Sequence, residues 1–297
     1  MLSRRAFSLL PFAVASGPAL AIDSRVPDWH FVHNGPEVPG DTRHEHHWRV
    51  LRAALAATEA KYGPFSMASS GFMNESRQLL EMKAAAGSIN SLALAGSAPL
   101  DKSLISVKVP VDRGLLGYRV FLIRAADQAV FDQVRTLEDL RRLRLGTQTD
   151  WVDAAVFRAA DFKLVTGNNY ASLFAMLMAG RFDALGRGVG EIEGELANFG
   201  PRYPGMAIEQ HLLLHYPMSV YFWFPRTAQG ERHAARVREG MTAIANNGTL
   251  DRLFRQEFHA VIQRVHLRER RVLSIANPTQ PLDQPFDKKD WWFDPVR

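Results

Sequence analysis

The sequence contains no cysteine. This absence excludes disulfide bonds, and it also excludes an anchor carried by a lipid-modified N-terminal cysteine. A chain of 297 residues without covalent cross-links must be stabilised by apolar burial, and its length is sufficient for one or two hydrophobic cores. The composition therefore predicts a globular protein that relies on packing alone.

Several motifs of catalysis and cofactor binding are also missing. The sequence has no serine nucleophile elbow, no phosphate-binding loop and no dinucleotide fingerprint. It has no internal repeat and no long linker. Beyond the N-terminal segment, no uncharged apolar run approaches the roughly 20 residues that span a bilayer. We therefore expect no cofactor and no second membrane anchor.

The first 21 residues have the pattern of a secretory signal peptide. Arg4 and Arg5 precede an apolar run over 6–14, and the small-x-small sequence at 19–21 is typical of a signal peptidase site. Residues 3–7 also resemble a twin-arginine signal, while an ordinary Sec signal with two arginines fits the same residues. We expect cleavage before Ile22, export to the periplasm, and no membrane insertion afterwards.

The charge balance is mildly basic. The chain has 36 Lys and Arg against 31 Asp and Glu, and removal of Arg4 and Arg5 with the leader leaves 34 against 31, a net charge of +3. Both signs are interspersed along the sequence. This weakly favours a small anionic ligand and argues against a dedicated nucleic-acid-binding protein.

Short apolar runs alternate with amphipathic segments, which is typical of α/β architecture. Thr136 and Asp139 form a capping-box pattern at a helix start, and Asn169 is placed to cap another helix. The strongest strand patterns cover 117–123 and 219–224. The tail beyond His266 ends in aromatic residues that would be costly to expose, so we expect it to wrap over the body.

Three segments together resemble the family 3 extracellular solute-binding proteins, the bilobed periplasmic receptors of amino-acid uptake systems. They are VRTLEDL (134–140) followed by a strand and Gly146-Thr147, LMAGRFDA (177–184), and NGTLDRLF (247–254). Each motif is weak alone, but their order and spacing match the family over about 117–258. The N-terminal third matches only in outline.

The resemblance implies an α/β, two-lobed fold of the type II periplasmic-binding-protein class. Lobe 1 would comprise 22–122 with 221–297, lobe 2 would comprise 123–220, and the strands 117–123 and 219–224 would form the hinge around a ligand cleft. The implied function is capture of a small anionic or zwitterionic metabolite, amino-acid-like or a carboxylate, by a monomer that performs no chemistry and delivers its ligand to an inner-membrane ABC permease.

Three alternatives stay open on the same fold. One is a structural or assembly protein that keeps the lobes but has no ligand. A periplasmic sensor would report its ligand to a membrane partner. A lyase, the less favoured alternative, would need a titratable acid or base in the cleft, for which Glu191, Glu193 and His30 are candidates.

Candidate ligand-binding residues follow the ends of two second-lobe strands. Thr147, Thr149 and Asp150 lie between a strand and a helix start, where free backbone N–H groups favour an anion, although Thr149 or Asp150 could simply cap the helix. Arg187 lies between two glycines just past a strand. The family often has an acid near this point, so an arginine there favours a carboxylate or phosphate ligand, unless it is a solvated surface residue.

The first lobe offers two further candidates. Lys102 occupies the approximate place of a family arginine that binds the ligand carboxylate, and Asn34 ends the first strand. Arg113 and Arg119 flank a hinge strand, and one of them could point into the cleft, although a surface position is favoured for each. The acidic and histidine residues at 41–47 invite a metal hypothesis, but their spacing fits no zinc signature, so no metal site is assigned.

Overall fold

The computed structural model describes residues 29–84, 87–281 and 283–295. The expected signal peptide over 1–21 and the expected new terminus at Ile22 lie outside these residues. Among the helices that are described, none combines the length and the apolar character of a membrane span.

Helices and strands alternate along the chain, as the apolar pattern predicts. The first half contains β1 (His30–His33), α1 (Glu45–Ala56), α2 (Glu59–Tyr62), β2 (Ser66–Ser69), α3 (Glu75–Ala84), β3 (Leu92–Ala95), α4 (Ala98–Ser103), β4 (Leu104–Val107), β5 (Tyr118–Arg124), α5 (Gln128–Phe131), α6 (Leu137–Arg142) and β6 (Arg144–Gln148). The second half contains α7 (Val152–Ala159), β7 (Lys163–Gly167), α8 (Tyr170–Met178), β8 (Ala184–Gly188), α9 (Ile192–Phe199), β9 (Met206–Ile208), β10 (Leu212–His215), β11 (Val220–Pro225), α10 (Ala228–Asn246), α11 (Thr249–Arg264) and β12 (Arg271–Ser274).

Local capping residues begin and end several helices where the sequence predicts. The Thr136 hydroxyl accepts a hydrogen bond from the Asp139 N–H, and the Asp139 carboxylate accepts from the Thr136 N–H, so the capping box is confirmed. The Asn169 side chain accepts from the Ser172 N–H at the start of α8. Gly248, with φ of +80°, separates α10 from α11 in a conformation that glycine adopts at little cost.

The strands form two separate layers with separate cores. β3, β11 and β4 pair in that order, β1 pairs with β2, and a bridge between His33 and Ser91 links the two groups. The other sheet has the order β12-β10-β5-β8-β6-β7, with β9 also pairing with β5. The first core contains Phe31 and Phe222, and the second contains Leu122 and Phe174. The protein therefore has two α/β lobes.

The chain crosses between the lobes twice, over 108–117 and 216–219. The two crossings contact each other, since the Tyr216 N–H donates to the Gly117 carbonyl at 3.1 Å. The sequence placed the crossings on the strands themselves, and the structure corrects this. β5 pairs entirely within the second lobe and β11 entirely within the first, because the backbone groups of a strand are satisfied by its own sheet. The expected boundary between 122 and 123 falls inside β5.

The C-terminal tail wraps over both lobes. β12 extends the sheet of the second lobe by pairing with β10, although the sequence analysis assigned the whole tail to the first lobe. The chain then reaches the first lobe, where the Thr279 carbonyl accepts from the Ala98 N–H at 2.7 Å. Finally, the Phe293 N–H donates to the Arg113 carbonyl at 2.7 Å, beside the first crossing. The tail thus connects the two lobes in addition to the two crossings.

Candidate functional site

A cavity of about 100 Å³ lies between the two lobes. This is roughly seven to ten times the space that one water requires, so it suits a small molecule. Its charged and aromatic lining residues come from both lobes, the crossings and α11: Arg43, His47, Glu75, Asp112, Arg119, Trp151, Asp153, Arg187, Glu191 and Phe258. Of the predicted ligand contacts, Arg187 is among these lining residues, and Trp151 and Asp153 follow the end of β6. Residues just past strand ends often line the crevice of open α/β sheets.

Direct contacts between the lobes close the cavity. The Arg43 guanidinium, which precedes α1, lies 3.8 Å from the ring centroid of Tyr170 in α8. The Ser76 hydroxyl of α3 donates to the Asp150 carboxylate, which precedes α7. The amide of Asn198 in α9 donates to the Pro39 carbonyl at 3.4 Å. These contacts describe a closed arrangement of the lobes.

Arg187 is the last residue but one of β8 and lines the cavity. Its positive charge is already paired with carboxylates of the protein. Its Nε donates to both Glu195 oxygens at 2.9 and 2.8 Å, its Nη2 lies 3.1 Å from Glu191 Oε1, and its guanidinium lies 4.3 Å from the Trp151 ring centroid. Although burial alone would lower the pKa of Arg187, the carboxylates of Glu191 and Glu195 raise it. Glu191 and Glu195 lie four residues apart at the start of α9, and this spacing directs both carboxylates back to the end of β8.

Arg119 in β5 forms a second buried charge cluster. The structure corrects its expected surface position, since only 2 % of the residue is exposed. Its Nη2 lies 2.9 Å from Asp153, its Nη1 lies 3.4 Å from Glu191, and its Nε donates to the Tyr216 hydroxyl at 3.0 Å. The reason is the place of β5 inside a seven-stranded sheet, where a charged side chain remains only when it is paired.

Two more charged residues, Arg43 and Asp112, also line the cavity. Arg43 binds Asp41 at 2.8 Å and Glu37 at 3.1 Å, so it is also neutralised within its own lobe. Asp112 lies in the first crossing and is held by hydrogen bonds rather than by a cation. Its carboxylate accepts from the Ser219 hydroxyl at 2.5 Å and from three backbone N–H groups, those of Gly114, Leu116 and Val220.

Glu75, at the start of α3, is the exception in this cavity. Within the described part of the chain it makes no hydrogen bond or ion pair. Burial raises the pKa of Glu75 to about 8, reinforced by the carboxylates of Glu37, Asp153 and Asp150 and opposed by Arg43. A carboxyl group with no partner in a closed cavity is available to a ligand.

The other predicted contacts lie around the cavity rather than on its surface. Thr147 and Asn34 are buried, at 1 % and 0 % exposure, and neither is among the described residues that line it. The Asn34 side chain accepts from the N–H of Ala93, which does line the cavity, at 3.3 Å. Asn34 thus supports the wall from behind.

The remaining predicted contacts are exposed. Thr149 ties β6 to β7 by donating from its hydroxyl to the Asn168 side chain at 2.8 Å. Asp150 accepts the hydrogen bond from Ser76 that spans the cleft. Lys102 lies on α4 and lines a different surface pocket, with Asp101 and Arg226. A role for Lys102 in the interlobe cavity would require a rearrangement that this closed arrangement does not contain.

The histidines near α1 are packed side chains. His44 and His47 approach each other with Nδ1 atoms 3.4 Å apart, and His46 packs edge-on against Phe258 with ring centroids 4.6 Å apart. Burial lowers the pKa of His44 and of His46 to about 4, and burial also holds the pKa of His47 well below its usual range. Among the residues described, no group of three or more His, Asp or Glu is arranged to hold a metal ion.

These histidines predict a loss of stability in acid. Their folded-state pKa lies below the ordinary value of 6.5, so the unfolded chain binds protons that the folded chain does not. The free energy of unfolding should therefore fall as the pH is lowered from about 6.5 to about 4. Urea titrations across this range check the slope, and His46→Gln should flatten it. An equal slope in His46→Gln would contradict this role.

Structural comparison identifies the fold. An ancestral arginine-binding protein bound to arginine aligns with 77 % of this chain and 98 % of its own, with 15 % identity and a TM-score of 0.56. The amino-acid ABC transporter substrate-binding protein AbpA of Streptococcus pneumoniae, bound to L-arginine, covers 79 % and 95 % at 14 % identity and a TM-score of 0.54. The GluR0 ligand-binding core of Nostoc punctiforme, in complex with L-glutamate, covers 77 % and 99 % at 12 % identity and a TM-score of 0.52.

The fold is that of the two-lobed, type II periplasmic binding proteins. The predicted fold class is thereby confirmed. No protein-family model matches the sequence, and no curated protein is detectably similar to it. At 11–15 % identity, the likeness to solved structures concerns the fold and not the ligand.

Most of the charged residues that line the cavity were not among those predicted from the sequence to bind a ligand. Glu191 and Glu195 carried a readable signal, because two acids four residues apart on a helix after a strand ending in Arg187 can reach back to it. Arg43, Glu75 and Asp112 carried none. Their position in the cavity depends on segments far apart in the chain, and only the tertiary fold brings those segments together.

Proposed function

We propose that this protein is an exported solute-binding protein that closes two lobes around one small charged or zwitterionic metabolite. The observation that carries the proposal is the small, charged cavity at the junction of the lobes, bounded by residues of both. Lobes joined by two short crossings can rotate relative to each other. A ligand that contacts both lobes gains its full binding energy only in the closed form, so it shifts the population toward closure.

The structural neighbours support this role. Those compared above are binding proteins, two of them bound to arginine and one to glutamate. An amino-acid-like ligand is therefore the first class to test. AbpA belongs to an ABC transporter, and by analogy we propose an inner-membrane ABC permease as the partner of this protein, which would act in the periplasm as a monomer.

A ligand sensor is the second candidate. The GluR0 ligand-binding core, in complex with L-glutamate, is similar in fold. Closure of two lobes around a ligand is also a change that a membrane partner could detect. Reconstitution distinguishes the two roles. A transport protein stimulates ligand uptake by its permease in vesicles, whereas a sensor binds its membrane partner without net uptake.

Catalysis by the residues considered from sequence has little support in their contacts. Glu191 is held by Arg187 and Arg119, Glu193 pairs with Arg264, and His30 contacts the Ser66 hydroxyl. We therefore propose binding without turnover. Incubation with metabolite mixtures tests this point, since a lyase would deplete its substrate far beyond the amount of protein present.

A thermal-shift screen tests the binding role. A ligand that binds only the folded form raises the melting temperature, and a concentration of 100 times Kd contributes about 2.7 kcal/mol. The panel contains amino acids, amines, dicarboxylates and phosphorylated metabolites. We expect one class to raise the melting temperature and to reduce the radius of gyration in X-ray scattering. If no class does either, the solute-binding role is wrong.

A further inference from the structure

The cavity between the lobes carries an excess of negative charge. Its lining contains three guanidinium groups, those of Arg43, Arg119 and Arg187, against four carboxyl groups. Three more carboxylates, those of Glu37, Asp41 and Glu195, bind the same guanidinium groups from behind. The basic net charge of the whole chain therefore gives a wrong impression of this site.

Each arginine is already engaged by carboxylates. Arg187 contacts Glu191 and Glu195, Arg119 contacts Asp153 and Glu191, and Arg43 contacts Asp41 and Glu37. A ligand carboxylate that displaced one of these groups would leave a buried carboxylate without its cation, which is costly. Within the described residues, each guanidinium group of the cavity therefore already has two carboxylate partners.

Glu75 is different because it lines the cavity without a counter-ion. The cation that acts electrostatically on the Glu75 carboxyl is Arg43. Arg43, however, already binds two carboxylates and stacks on Tyr170. The other charged groups that act on Glu75 are the carboxylates of Glu37, Asp150 and Asp153. His47 also lines the cavity, and burial keeps its pKa so low that it adds no positive charge near neutral pH.

We propose that the cavity takes a small organic cation, with an ammonium or guanidinium group that pairs with Glu75 and with no need for a carboxylate. The proposal deepens the solute-binding function and rests on it. It replaces the anionic ligand that the sequence favoured. Glu75 then determines specificity by rejecting anions and by supplying the one charge that a bound cation neutralises.

Binding of a cation is coupled to release of a proton from Glu75. The pKa of Glu75, raised to about 8 by burial and by the neighbouring carboxylates, leaves the group mostly protonated at pH 6. The cation binds the ionised form, so affinity should rise about tenfold per pH unit between pH 6 and 7 and level off above pH 8. Close to one proton should leave for each cation bound at pH 7.

Three probes with matched carbon chains separate charge from size. They are n-butylammonium, butyrate and butyramide, measured by isothermal titration calorimetry on the full-length mature protein between pH 6 and 9. Repeating the titration in two buffers with different ionisation enthalpies gives the number of protons released. We expect binding of butylammonium only, with the pH dependence described above.

Variants at one position test the role of Glu75. Glu75→Gln should weaken butylammonium binding at pH 8 by at least about tenfold and abolish its pH dependence, whereas Glu75→Asp should retain both in part. Glu81→Gln, on the same helix, is the matched control and should change neither. The melting temperature of each variant confirms that it folds.

Tighter binding of butyrate than of butylammonium, or an unchanged pH profile in Glu75→Gln, would overturn the cation proposal while leaving the solute-binding role intact. If the broad metabolite panel also fails to bind, the solute-binding role fails, and the cation proposal fails with it. Binding of an amino acid from that panel through Arg187, with no effect of Glu75→Gln, would also refute the proposal.

Discussion

Replacing Asp112 with alanine is expected to lower the free energy of unfolding by about 3–5 kcal/mol. Asp112 is 3 % exposed and lies in the first crossing, where its carboxylate accepts four hydrogen bonds. Two of the donors, the Ser219 hydroxyl and the Val220 N–H, belong to the second crossing and the strand that follows it. Alanine would remove the acceptor of three backbone N–H groups and would leave the Ser219 hydroxyl only its longer contact of 3.4 Å to the Val220 carbonyl. Urea denaturation followed by circular dichroism measures the loss.

Asp112→Asn serves as the graded control for this prediction. The amide retains one oxygen for the Ser219 and Val220 donors but presents N–H groups toward the Leu116 N–H, so its cost should be intermediate. Asp287→Ala, in the exposed part of the tail, should change the free energy of unfolding by less than about 0.5 kcal/mol. A loss below about 1 kcal/mol in Asp112→Ala would mean that the two crossings are not held together through this carboxylate.

Much of the fold could be predicted because its signals are local. The capping box at Thr136, the Asn169 cap and the glycine between α10 and α11 each depend on residues within one helical turn. Such signals need no knowledge of the partner elements. The alternation of strands and helices likewise follows from side-chain periodicity, which is why the α/β class could be inferred before any coordinates. The two-lobed arrangement was implied by the resemblance to the family 3 solute-binding proteins.

The charge of the site could not be predicted in the same way. Arg187 was interpreted as a ligand contact because its pairing with Glu191 and Glu195, although compatible with their spacing, becomes certain only in the folded structure. Arg119 illustrates the same limit, because its partners Asp153 and Tyr216 lie 34 and 97 residues away in the chain. The net charge of a pocket is a sum over segments that only the tertiary fold assembles, so the overall basic composition carried no information about it.

The predicted hinge strands are likewise not the segments that cross between the lobes. The apolar patterns over 117–123 and 219–224 correctly predicted two buried strands, β5 and β11. A strand whose backbone groups are paired inside one sheet cannot also flex between two lobes. The crossings are instead the neighbouring segments 108–117 and 216–219, which lie outside the strands. Asp112 accepts hydrogen bonds there from both crossings. In this chain, the strongly apolar patterns therefore predict the strands next to the crossings and not the crossings themselves.

Removing the Arg187 guanidinium should destabilise the fold more than it weakens ligand binding. Arg187→Met is expected to lower the free energy of unfolding by about 3–5 kcal/mol, because it leaves the Glu195 carboxylate buried without its cation. The double variant Arg187→Met with Glu195→Gln should recover part of that loss, with a coupling energy of about 0.5–3 kcal/mol. Chemical denaturation of the two single variants and the double variant measures all three terms.

A surface pair provides the comparison for the Arg187 cycle. Arg144 and Asp183 also form a close ion pair, at 2.6 Å, but the Arg144 side chain is 45 % exposed, so Arg144→Met should lower the free energy of unfolding far less than Arg187→Met. If Arg187 instead bound an anionic ligand, Arg187→Met would fold with nearly normal stability and lose its ligand. The structure predicts the opposite order of effects, since the Nε and Nη2 atoms of this guanidinium group already contact the carboxylates of Glu195 and Glu191 in its own lobe.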